Sequence, residues 1–216
     1  MNEIIERFRV LDTTCVSDAM DRLGIKCALF DIKPILDGIK ICGPAFTVHY
    51  VPCGIIKGTV GDFIDDVKHG EVVVIDNSGR TNCTVWGDIM SIVADKNGIE
   101  GTVIDGVCRD LPTIIKLKYP IFSKGYYMST GKDRVEVDAV NVPVSVSGVQ
   151  VRPGDIILGD DSGVIVIPKE KAKDILEVAE TIDEKEKLIE EEVLKGTKLK
   201  EARQKFNYHH LQTKIE

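Results

Sequence analysis

Three charged residues in two short runs carry most of the chemistry this sequence offers: Asp88, within Gly87-Asp88-Ile89-Met90, and the pair Arg109-Asp110. Each run follows a stretch that reads as a buried strand, Glu71-Val72-Val73-Val74-Ile75-Asp76 before the first and Thr102-Val103-Ile104-Asp105 before the second. Each also opens a helical pattern. One runs from about Gly87 to Lys96, with Ile89, Ile92 and Val93 on one face and Gly98 at its end; the other starts at about Leu111. A right-handed crossover makes the two strands parallel, so Asp88, Arg109 and Asp110 come to one sheet edge, where open α/β sheets bind ligands.

The backbone N–H groups and helix dipole at Gly87, Asp88, Ile89 and Met90 suit a carboxylate, and Arg109 adds a planar cationic donor. Asp88 and Asp110 bring hard oxygen ligands to the same place, which fits a magnesium or manganese ion bridging the protein and an anionic oxo-acid ligand. Spacing alone fits a second account equally well: ordinary first-turn helix acids and a structural ion pair at Arg109.

Other chemistries find less support. The histidines at 49, 69, 209 and 210 show no zinc or triad spacing, and His209-His210 reads as exposed tail. Cys15, Cys27, Cys42, Cys53, Cys83 and Cys108 form no Cys-x-x-Cys pair and read as reduced, mostly buried thiols. A net charge of -7 argues against a nucleic-acid face, and the lysines from Lys169 to Lys205 are interleaved with glutamates. No apolar run reaches membrane-spanning length, no signal-peptide pattern opens the chain, and no Gly-x-Gly loop follows an early strand. The expectation is a cytoplasmic protein without membrane or nucleotide-cofactor contacts.

The elements that must position the three residues read as a mixed α/β fold. Thr13-Thr14 offers a cap for a short helix carrying Val16, Met20 and Leu23 and ending at Gly24. Residues 39–51 look extended, with an interruption at Gly43-Pro44, and residues 77–82 read as a polar loop. Short strands are expected at 142–146, 149–151 and 163–167. From Lys169 to Lys195 there is no Gly or Pro, and Ile175, Leu176, Val178, Ile182, Leu188, Ile189 and Val193 recur at helical intervals. Such a long amphipathic helix is suited to packing on a partner subunit. The boundary expected is a catalytic domain over 1–168 and a helical extension over 169–216.

Asp88 and Arg109 are separated by twenty residues, an Asp-x20-Arg-Asp pattern. Together with Gly101 to Asp110, Val16 to Gly24, Gly43 to Val48 and Asp160 to Pro168, it resembles the 4-hydroxy-4-methyl-2-oxoglutarate aldolase family, which includes the regulator of ribonuclease activity A. The resemblance implies an RraA-like swivelling β/β/α layered fold, a homotrimer or a hexamer of stacked trimers, and a class II pyruvate aldolase with oxaloacetate decarboxylase side activity. It implies that Asp110 binds Mg2+, Mn2+ or another divalent cation directly and that Asp88 does so through water. Arg109 would contact the substrate oxygen, and the Ile89 and Met90 N–H groups beside Gly87 would receive the pyruvyl carboxylate. Glu186 is the best match for a glutamate that reaches a neighbouring subunit's metal through water. The alternative is a non-catalytic regulator acting by protein–protein contact, but the chain here continues past the point where those regulators end, which favours the enzyme.

Overall fold

A computed structural model describes residues 2–26 and 28–208. The expectations for Cys27, His209 and His210 lie outside the described residues. The order of elements is α1 (Asn2–Arg9), α2 (Thr13–Arg22), β1 (Lys33–Pro34), β2 (Ile41–Pro52), a 3-10 turn (Asp62–Asp66), β3 (Val72–Thr84), α3 (Asp88–Asn97), β4 (Gly101–Val107) and α4 (Leu111–Leu117). There follow β5 (Ile121–Ser123), β6 (Val135–Val140), β7 (Val144–Val146), β8 (Val149–Val151), β9 (Ile156–Asp160), β10 (Gly163–Ile167), α5 (Ala172–Leu194) and α6 (Leu199–Lys205).

The parallel strands β2, β3, β4 and β5 form the middle of the sheet. β2 does not break at Gly43-Pro44. It changes partner there, pairing antiparallel with β9 over 41–44 and parallel with β3 from Ala45. Glycine is needed at 43 because a Cβ would lie 2.3 Å from the Gly70 carbonyl oxygen, and Pro44, which has no N–H to give, sits where the ladder to β9 ends. On the far side, the segment that begins at Ala28 bridges Ile165 of β10 and then pairs Lys33 with Ser123 of β5. One stretch of chain therefore joins both ends of the sheet and nearly closes it.

Alternation along the strands divides the interior. Val73, Ile75 and Ile104 face α3 and α4, in a cluster where Trp86 stacks on Tyr119 with centroids 6.0 Å apart. Val74, Val103 and Phe122 face the β7–β8 hairpin. A third cluster places Phe8, Val16 and Met20 with Leu158, Ile165, Leu176 and Ile182, packing α1, α2 and α5 on β9 and β10. The stripe on α5 is thus used largely within the chain, with Leu188, Val193 and Leu194 left exposed.

Two local expectations change. The helix at Thr13 is capped from a distance rather than by its own threonines: the Thr13 N–H and hydroxyl donate to the Asp160 carboxylate at 2.8 and 2.7 Å. The stretch 77–82 stays in β3 rather than leaving the sheet. It loops out at Ser78 and Gly79, with φ of 52° and 68°, and rejoins β4 at Arg80 and Thr84.

Candidate active site

β3 and β4 are parallel, and their carboxyl ends deliver α3 and α4 side by side, which brings Asp88, Arg109 and Asp110 together as their spacing suggests. Asp110 Oδ2 accepts the Asp88 N–H at 3.2 Å and lies 3.1 Å from Arg109 Nε. The Asp110 carboxylate therefore covers the positive start of the neighbouring helix α3. Gly87 makes this approach possible: a Cβ there would fall 2.7 Å from Asp110 Oδ2 and 3.3 Å from Arg109 Nε. Asp110 itself has φ 61° and ψ 40°, a left-handed conformation that Asp tolerates better than most residues and that turns β4 sharply into α4.

Trp86 holds the start of α3 in place. Its carbonyl accepts the Arg109 N–H at 3.0 Å, and its indole N–H donates at 2.9 Å to Ser91 Oγ, which donates at 2.8 Å to the Gly87 carbonyl. The Ile89 N–H is engaged by the side chain of Asp88, at 2.8 Å from Oδ1. No acceptor for the Met90 N–H is found among the described residues. A substrate carboxylate would meet Met90 directly and would have to displace Asp88 to reach Ile89.

Asp88, Met90, Trp86 and Arg109 line a cavity of about 430 Å³. Arg109 also lines a second cleft of about 410 Å³, with Asp110, Tyr126, Tyr127 and Met128. The guanidinium thus stands between two open spaces, with the Arg109 and Asp110 side chains 38% and 35% exposed. Cys108 adjoins them, but burial pushes its thiol up to about 11, so it supplies no thiolate near neutral pH.

The two carboxylates are donors of the kind a hard divalent cation takes. Their Asp88 Oδ2 and Asp110 Oδ1 oxygens stay clear of the contacts above, and both are hard donors. Among the described residues no group of three or more His, Cys, Asp or Glu converges on one point. That is short of a full coordination shell, yet magnesium commonly takes one or two protein carboxylates and fills the rest with water and ligand.

Glu186 does not join this site within the chain. It lies on α5, in the layer with α1 and α2, where burial first, then Asp18 and Asp183, raise its pKa. Several lining residues escaped the sequence reading: Asp62 and Asp65 of the 3-10 turn, and Tyr126 to Met128 beyond β5. They belong to irregular segments without periodicity. The one available signal was Gly61, where a Cβ would meet Met90 Sδ at 2.9 Å.

The sequence profile described as RraA-like, Aldolase/RraA, matches residues 13–166. The chain belongs to the RraA-like family. Among its relatives, protein DlpA of Legionella pneumophila is 39% identical over 212 residues, covering 96% of this RraA-like chain but 34% of DlpA, so the chain spans about a third of that relative's length. A protein of Halalkalibacterium halodurans named "Putative 4-hydroxy-4-methyl-2-oxoglutarate aldolase" is 36% identical over 180 residues, 82% of each chain. The crystal structure of Streptomyces coelicolor RraAS2, described as an unusual member of the RNase ES inhibitor RraA protein family, superposes with a TM-score of 0.79 at 27% identity, covering 87% of this chain and 95% of RraAS2. The RraA-like family thus contains relatives with aldolase names and relatives named as inhibitors. No helix among the described residues is long and apolar enough to cross a membrane.

Proposed function

We propose that this protein is a divalent-metal-dependent lyase that cleaves 4-hydroxy-4-methyl-2-oxoglutarate-type 2-oxo acids to pyruvate and also decarboxylates oxaloacetate. The observation that carries the reading is the arrangement at the start of α3: the Asp110 carboxylate between the Asp88 N–H and Arg109 Nε, beside an open Met90 N–H and a cavity. Asp110 and Asp88 would hold Mg2+ or Mn2+, which supplies Lewis-acid stabilisation of negative charge on the substrate's 2-oxo oxygen.

The residues of the chain do the rest. The Met90 N–H, joined by that of Ile89 once Asp88 turns away, binds the pyruvyl carboxylate at the positive end of α3. Arg109 donates to the 2-oxo oxygen, and its hold strengthens as charge develops there. A water polarised by Asp88, or by Glu186 of the partner subunit, takes the 4-hydroxyl proton. Trp86 and its apolar neighbours line the cavity beside the breaking bond. Decarboxylation of oxaloacetate passes through the same pyruvate enolate and needs no base for a hydroxyl.

The same reading assigns residues 1–168 to the catalytic unit and 169–216 to an extension that reaches a neighbour in a cytoplasmic homotrimer or hexamer. The likeness to RraAS2 supports a second reading, a regulator that binds a protein partner. A screen of 2-oxo acids before and after EDTA treatment separates the two. Turnover that disappears with the metal and returns with magnesium is expected. Undiminished turnover after chelation overturns the metal assignment, and a folded protein no faster than free magnesium on every 2-oxo acid leaves the regulator.

A further inference from the structure

We infer that Trp86 and Ser91 are positioning residues of the site: through the peptide that joins Gly87 to Asp88 they aim the Asp110 carboxylate and so set its hold on a divalent cation; this rests on the metal-dependent reading and deepens it. Three hydrogen bonds run in series, from the Trp86 indole N–H to Ser91 Oγ at 2.9 Å, from the Ser91 hydroxyl to the Gly87 carbonyl at 2.8 Å, and from the Asp88 N–H to Asp110 Oδ2 at 3.2 Å. The Gly87 carbonyl and the Asp88 N–H belong to one peptide group. A trans peptide points these two groups in opposite directions, so a hold on the carbonyl fixes the aim of the N–H. The same carbonyl also accepts the Ser91 N–H at 3.1 Å, and bonds in series polarise one another, which strengthens the last donor.

The relay answers a weakness that the site creates for itself. Asp110 can approach α3 only because residue 87 has no side chain, since a Cβ there would lie 2.7 Å from Oδ2. The glycine that permits the approach leaves its own ψ loosely restrained, and with it the plane of the peptide on which Asp110 leans. That plane has to be held from elsewhere. Ser91 holds it from the first turn of α3, and the indole, stacked on Tyr119, holds Ser91. Trp86 and Ser91 are 2% and 0% exposed within the chain itself, so no neighbouring subunit is needed to complete the relay. At its end Oδ2 is committed to the Asp88 N–H beside Arg109 Nε, which leaves Oδ1 for a cation.

Trp86 touches Arg109 by another route, its backbone carbonyl, which accepts the Arg109 N–H at 3.0 Å. Replacing the indole therefore disturbs Asp110 and spares Arg109. Partners that orient a metal-binding side chain from behind commonly contribute about 10–100-fold to metal affinity.

The test is the affinity of the full chain for Mn2+, read from the electron paramagnetic resonance signal of free Mn2+ and so independent of turnover. Ser91→Ala should weaken binding by about tenfold or more, and Trp86→Phe, which keeps an aromatic ring against Tyr119, by about threefold to tenfold. The double variant should bind no worse than Ser91→Ala alone, because without the hydroxyl the indole has nothing to act through. Tyr119→Phe is the control. It removes a buried hydrogen bond with Thr102 Oγ1, 2.9 Å long, from the ring stacked on the indole, and should cost stability while leaving Mn2+ affinity within about twofold of the parent. In oxaloacetate decarboxylation, Trp86→Phe should need more Mn2+ for half-maximal rate yet reach a kcat within about threefold of the parent at saturation. If one single variant does not fold, the other carries the comparison with Tyr119→Phe. Parental Mn2+ affinity in the folded single variants, or losses that add in the double variant as two separate packing defects would, overturns the inference while leaving the metal site intact. A folded parent that binds no Mn2+ overturns the metal reading, and the inference with it.

Discussion

The two faces of the sheet end in charged rows at the same edge, and they could hardly be more different in state. On the α3–α4 face, Asp88 and Asp110 keep carboxylate oxygens outside the contacts described, and with Arg109 they stand at the mouths of two cavities. On the hairpin face, His49, Asp76 and Asp105 stand in register across β2, β3 and β4, and Lys124 follows β5. There the charges answer one another: His49 Nδ1 lies 3.3 Å from Asp76, and Lys124 Nζ lies 3.3 Å from Asp105. The hairpin adds the Ser145 N–H to Asp76 at 3.2 Å and the Ser147 N–H to Asp105 at 3.1 Å. His49 and Asp76 also line a cavity, of about 480 Å³, so charge beside a space at the carboxyl ends of parallel strands does not by itself mark a site; what separates the two rows is how far their charges are paired with one another. The first row is suited to hold a ligand, and the second holds the fold.

The sharpest break of this contrast is Arg109→Ala, which should lower kcat for oxaloacetate decarboxylation by about 10²–10³, with Arg109→Lys retaining little more because the planar fork is lost. Thermal unfolding should barely move, since the side chain is partly exposed. Wild-type kcat in a folded Arg109→Ala protein would remove Arg109 from the chemistry. Asp105→Ala should do the reverse: it strands Lys124 and the Ser147 N–H in a buried setting and should cost about 3 kcal/mol in urea unfolding. Its activity per folded molecule should stay within a few-fold of the parent, and a loss as large as that of Arg109→Ala would erase the distinction between the rows.

Gly87→Ala comes next, pushing the Asp110 carboxylate off the start of α3. A drop in kcat/KM of about tenfold is expected from the misplacement alone, with little change in the urea midpoint. The smallest effect concerns Glu186, whose raised pKa means that the folded chain binds its proton more tightly than the unfolded chain. Stability from this group is therefore present at acid pH and falls as pH rises from the ordinary glutamate range through the raised value. Glu186→Gln should stabilise the fold at pH 7 by roughly a few tenths of a kcal/mol after solvent screening, read as a slightly higher melting temperature, and should not do so at pH 4. An equal effect at both values would show that the charge is not the cause.

That Asp88, Arg109 and Asp110 come together was legible in the sequence because local rules fix them: two apolar runs, two helix starts, and the handedness of the crossover between them. The same periodicity found α3, β10 and α5 to within a few residues. What it could not show was set at long range. Asp160 caps a helix that starts at Thr13, and the partner switch of β2 at Pro44 depends on β9, more than a hundred residues later. The acids of the cavity wall sit in a 3-10 turn whose position comes from Phe46, Tyr50 and Met90 rather than from its own pattern. The sense of α5 was legible, but its facing was not, because the stripe that invites a partner also fits α1 and α2.

The segment that begins at Ala28 and ties β10 to β5 has a consequence for the chain as it leaves the ribosome. Its backbone partners, Ser123 and Ile165, are made long after it, and the first residues of β2 wait as long for β9. For most of synthesis the nascent molecule presents unpaired strand edges on both flanks, the state in which chains recruit one another. Cooperative closure arrives only with β10, so a pause in translation before Gly163 should be far more damaging to yield than one after Ile167.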